Sequence, residues 1–95
     1  MKDYKIAMEE RYTEIGYLID EVEGEIDYFE QEIQAVNENI KKLKRTFKKW
    51  DIEHEVDESV AKLNIAKEEY QYIIDGWNIE LDNLKGELYR LEEML

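Results

Sequence analysis

The feature that most restricts this chain is a row of apolar residues spaced alternately four and three apart along almost its whole length. In the first half the row is Met8, Tyr12, Ile15, Ile19, Val22, Ile26, Phe29, Ile33, Val36, Ile40, Leu43, Phe47 and Trp50, without a polar member. In the second half it is Val56, Val60, Leu63, Lys67, Tyr70, Ile74, Trp77, Leu81, Leu84, Leu88, Leu91 and Leu95, with Lys67 the one polar residue. This spacing draws a single apolar stripe down an α-helix and, sustained over so many repeats, is the pattern of a coiled-coil seam. In heptad letters Ile19 and Leu81 are a residues, and Val22 and Leu84 are d residues.

The two rows are out of phase. Continuing the first beyond Trp50 would place His54, Asp57 and Ala61 on the seam, whereas the apolar residues are Val56 and Val60. One straight helix cannot present both stripes to one neighbour. Charge marks where the chain turns. Lys41, Lys42, Lys44, Arg45, Lys48 and Lys49 crowd the end of the first row, and Asp57 and Glu58 open the second. Cations suit a helix C-terminus, and an Asp N-cap followed by Glu suits an N-terminus. The expected fold is therefore all-α: an antiparallel two-helix coiled-coil hairpin, helices about 3–50 and 57–95, a turn near 51–56, and one domain over 1–95.

Composition agrees. The chain of 95 residues has no Cys, no Pro and four Gly, which leaves no disulfide framework and little turn chemistry for a β-rich fold. Gly16, Gly24, Gly76 and Gly86 all fall within the helices; Asp75-Gly76 is the most break-like, yet the heptad passes through it in phase and predicts continuity. In an antiparallel pair, a residues face d residues, and two registers fit, with facing numbers summing to 103 or 110. The second sets Glu23 opposite Lys85 and is the one preferred; it leaves residues 1–14 overhanging.

No reactive constellation is apparent. The single histidine, His54, lies in the expected turn among Asp51, Glu53 and Glu55, without the paired Glu-x-x-His of di-metal bundles. Thr13, Thr46 and Ser59 lack a histidine base beside them, and Gly16 and Gly24 do not make a phosphate loop. The expectation is a protein that is not an enzyme, with no cofactor and no metal.

Charge and exposed aromatics point instead to contacts. There are 25 acidic and 13 basic residues, a net charge of −12, which opposes direct nucleic-acid binding and adhesion to anionic membranes and favours a basic partner protein. Glu25, Glu32, Glu80 and Glu87 occupy g positions and are expected to form an acidic ridge along one edge of the seam. Off the seam, Ile65, Tyr72 and Ile79 recur every seven residues on helix two, and Tyr17 and Tyr28 stand off the seam of helix one. Tyrosine at such positions is favoured in protein contacts. A hairpin with a second apolar stripe is expected to dimerise into a four-helix bundle. With no leader-like segment and no apolar stretch long enough for a membrane span, the expected location is the cytoplasm.

One family comparison arises. Trp50 at mid-chain and Tyr89 followed by Glu93 resemble the turn Trp and the C-terminal Tyr-x-x-x-Asp/Glu of the small helical-hairpin proteins of type VII secretion. The chain departs from them in having Ile52 where the turn glycine belongs, few small residues and a tail ending at Leu95. The resemblance implies a hairpin and carries over no function. The functional expectation is a non-enzymatic acidic interaction module, including an inhibitor that occludes a basic nucleic-acid-binding surface by mimicking nucleic acid. The alternatives are a structural or assembly coiled coil and a type VII secretion-like hairpin.

Overall fold

A computed structural model describes residues 2–50 and 53–95, with side chains described over 3–49 and 57–95. It is an all-α helical hairpin: α1 runs Lys2–Trp50 and α2 runs Glu53–Met94. Lys48 and Lys49 sit in the last turn of α1, and Asp3 in its first turn, as the helix dipole favours. The chain reversal is narrower than the sequence predicts. Glu53–Val56 already belongs to α2, so Asp57 is an interior helical residue and not the N-cap. The dipole gains from acids anywhere in the opening turns, so the acidic run need not begin at the cap. The side chains of Trp50 and His54, and the turn residues Asp51 and Ile52, lie outside the described residues. α2 passes through Gly76 unbroken, because the seam on either side stays in phase.

The described residues form two compact units, each taking one segment from each helix: Met1–Ile26 with Asp75–Leu95, and Asp27–Ile74. In the first, Ile15, Ile19, Val22, Leu84 and Leu91 are buried, with Met8, Leu18, Ile26, Trp77, Leu81 and Leu88 packed against them. Ile15 is 0% exposed. In the second, Val36, Ile40 and Ile74 are buried, and Phe29 stands between the edge of Tyr28 (5.3 Å between ring centres) and Tyr70 (5.8 Å). Every buried side chain among the described residues is an a or d residue. The polar seam residue is accounted for here too: Lys67 Nζ donates to Asn37 Oδ1 at 2.9 Å, which satisfies the ammonium at the rim of the seam.

The register is the one whose facing numbers sum to 103, a correction to the preferred 110. At 103 the flanking g residues of the two helices meet at sums of 98 and the e residues at 108. Arg11–Glu87 (2.8 Å) and Glu23–Lys85 (3.9 Å) fall on those values. Under 110 the corresponding values are 105 and 115. Met8 accordingly shares a hollow with Met94 and Leu95 instead of overhanging. The Glu23–Lys85 pair, expected in the 110 register, sums to 108 and so belongs to the 103 register. Burial of apolar surface favours the same alignment, since it gives Met8 a facing partner at the end of α2.

Candidate interaction surfaces

A polar cluster lies on the g edge of the unit formed by Met1–Ile26 and Asp75–Leu95. Arg11 grips Glu87 with two parallel bonds, Nε to Oε1 at 2.8 Å and Nη2 to Oε2 at 3.0 Å, while its Nη1 reaches Glu14 at 3.1 Å. A bidentate fork of this kind fixes orientation as well as charge. The Glu87 carboxyl is held below its ordinary value by the hydrogen bonds from Arg11, and the Arg11 guanidinium is held further above its own, mainly by Glu87. One residue on, the Tyr12 hydroxyl donates to Glu92 Oε1 at 3.0 Å, and this bond to the protonated phenol raises its pKa.

Among the four g-position glutamates, Glu87 is thus a structural ion-pair partner rather than part of an open acidic ridge. In the 103 register Glu80 lies opposite Leu18, and Glu32 opposite Ala66, so carboxylate does not face carboxylate there. Glu25 and Glu80 are exposed and Glu32 is half-buried. The off-seam residues are on the surface: Tyr17 is 69% and Tyr28 56% exposed, and Ile65, Tyr72 and Ile79 are exposed on α2. Ile65 and Tyr72 belong to the Asp27–Ile74 unit, and Ile79 to the other.

Charge is distributed unequally. The unit of Met1–Ile26 and Asp75–Leu95 holds fourteen acids and five bases, a net −9, and the Asp27–Ile74 unit holds eleven acids and eight bases, a net −3. Tyr17 stands in the more acidic unit with Glu14, Asp20 and Glu21, all exposed, one helical turn away. The Asp27–Ile74 unit has a different feature, which the heptad alone does not reveal. Its g edge opens into a hollow of about 370 Å³, lined by Asn39, Lys42, Leu43, Thr46 and Phe47 of α1 and Leu63 of α2. The seam residues Leu43, Phe47 and Leu63 form its apolar part and remain only half-buried. An apolar seam that stays accessible is a packing outcome, and the spacing of the residues carries no signal for it.

Among the described residues no group of three or more His, Asp or Glu could hold a metal ion, and no helix is long and apolar enough to cross a membrane. No protein-family model, curated protein or solved structure matches this chain.

Proposed function

We propose that this chain is a non-enzymatic helical interaction module whose acidic face binds a basic surface of another protein, and that occluding a nucleic-acid-binding surface is the form this takes. The observation that carries the reading is the charge of the unit built from Met1–Ile26 and Asp75–Leu95. Fourteen carboxylates flank a helical segment of 26 residues, about 39 Å long at 1.5 Å per residue, or about one per 2.8 Å. Duplex DNA carries one charge per about 1.7 Å. Five bases cannot neutralise fourteen acids, and one of the five, Arg11, is already committed to Glu87 and Glu14. A two-helix rod of carboxylates with an exposed tyrosine among them presents a nucleic-acid-binding groove with spaced negative charge and a flat ring. Such a groove binds its own ligand through the same two interactions.

The test is capture from the native cell on the immobilised chain, followed by elution in a salt gradient and by competition with duplex DNA. The expected catch is basic nucleic-acid-binding proteins, released by salt and by DNA, and lost when Glu21, Glu25 and Asp82 are changed to Lys. Acidic partners, or retention that salt does not weaken, would overturn the reading. In a purely structural or assembly role the same Lys substitutions would leave every interaction intact.

A further inference from the structure

We propose that a second copy of this chain docks antiparallel on the g edge of the Asp27–Ile74 unit. Tyr28 and Ile73 of each copy then fill the Leu43–Phe47–Leu63 hollow of the other. The edge is built in two complementary halves. At one end Tyr28 and Ile73 stand exposed, with Glu32 and Glu69 next along the edge. At the other end lies the open hollow, about 25 Å away along the helix, with Lys42 at its wall and Lys62 beside Leu63. Between them, at the centre, are small side chains: Ala35 and Asn39 on α1 and Ala66 on α2.

A two-fold axis through that centre, perpendicular to the helices, lays α1 on α1 and α2 on α2, each pair antiparallel. It relates positions of α1 whose numbers sum to about 74 and positions of α2 whose numbers sum to about 132. Glu32 then meets Lys42 of the second copy, Glu69 meets its Lys62, and Tyr28 arrives at its Thr46 and Phe47. Ile73 reaches the same region from α2. All of these residues hold c, g or seam positions on the one edge, so the operation maps the edge onto itself without bringing in residues from the opposite side. The opposite, e edge of this unit is polar throughout: Glu30, Asn37 and Lys44 on α1, and Asp57, Asn64 and Gln71 on α2. Ala35 and Ala66 at the axis let the two backbones approach closely, as a symmetric contact needs.

The charge of this edge selects the occupant. Among the described residues at its c and g positions, Glu32 and Glu69 stand at one end and Lys42, Lys49 and Lys62 at the other, so a copy turned end for end is attracted. A partner of uniform charge would gain at one end and lose at the other. The unit of Met1–Ile26 and Asp75–Leu95, at −9, repels its own copy, which places self-association on the Asp27–Ile74 unit. This proposal stands apart from the binding of a basic protein, since it rests on a different unit and on the near-balance of charge there.

The experiment uses the full chain, followed by sedimentation equilibrium from micromolar to millimolar concentration, with circular dichroism to show that each variant remains helical. The expected result is a monomer–dimer equilibrium that Ala35→Glu weakens by about tenfold or more, since each copy brings a like charge close to the axis. Glu32→Lys and Lys42→Glu each weaken it, and the two together restore it, which a merely misfolded variant could not do. Because the chain has no cysteine, Ala66→Cys supplies a single thiol beside its own symmetry mate. Mild oxidation of this variant gives a covalent dimer, and Gly86→Cys in the other unit does not. A chain that stays monomeric throughout, a dimer indifferent to both charge reversals, or an Ala66→Cys thiol that does not cross-link overturns the proposal. So does the hollow being occupied by a different protein while the chain is monomeric.

Discussion

The two units follow one heptad and yet solve different problems. In the unit of Met1–Ile26 and Asp75–Leu95 the seam is closed: five buried residues form a contiguous core, and Arg11, Tyr12 and Lys85 tie the helices together across it. In Asp27–Ile74 the described residues include three buried side chains, a softer Lys67–Asn37 bond links the helices, and part of the seam opens to solvent. The closed unit carries −9 and the open one −3. Self-repulsion destabilises a compact state, so a unit that keeps a large excess of one charge needs the better core. A unit near neutrality can leave apolar surface for a partner.

The largest effect expected on this contrast comes from the core. Ile15→Ala removes a side chain that is 0% exposed and should lower stability by about 2–5 kcal/mol in urea unfolding at neutral pH, with Ile40→Ala toward the lower end of that range. Equal losses would mean that the two units are equally well packed. Glycine substitution comes next. A Cβ added at Gly16, Gly24, Gly76 or Gly86 meets no atom within 4 Å, so each Gly→Ala should stabilise by up to about 1 kcal/mol through helix propensity alone. No gain at Gly76, read as an unchanged urea midpoint, would contradict a helix continuous through that residue.

Salt should separate the units more finely. Raising ionic strength screens the repulsion among fourteen acids more than it affects a nearly balanced unit. Amide exchange in 2–26 and 75–94 should therefore slow with added salt relative to 27–49 and 57–74; a uniform response would remove charge as the distinguishing variable.

The smallest effects are in the pH dependence of the polar ties. Glu87 has its carboxyl value lowered by Arg11, so its contribution is present above the ordinary glutamate value and is lost as pH falls through the lowered one. Tyr12 has its value raised by Glu92, so its contribution is present below the ordinary tyrosine value and is lost as pH rises through the raised one. Glu87→Gln should flatten the acid limb of the stability profile, and Tyr12→Phe the alkaline limb. Both shifts should be modest because these groups are close to solvent.

Much of this fold is legible in the residues alone. Strict four-three spacing specifies helices and names the seam, and that every buried side chain among the described residues is an a or d residue follows from that geometry. The reversal of the chain is legible from the phase slip, but its width is not: acids near a helix start satisfy the dipole at several positions, so Asp57 does not mark the boundary by itself. Register is undecided by the sequence for a related reason. The heptad alone admits alignments one repeat apart, and the Arg11–Glu87 fork, the Glu23–Lys85 pair and the packing of Met8 beside Met94 and Leu95 separate them.

For the candidate surfaces the division is similar. That Tyr17, Tyr28, Ile65, Tyr72 and Ile79 stand off the seam is a property of numbering on a helix, and so is the net charge of each segment. That Glu87 is engaged by Arg11, and that Leu43, Phe47 and Leu63 leave a hollow between them, depends on how far apart two helices sit and how side chains of unlike size mesh. A one-dimensional pattern specifies which face of each helix turns inward, because periodicity is a local property of the backbone. How tightly the faces close, and where they stay open, is decided only when both are present, because packing is a property of pairs.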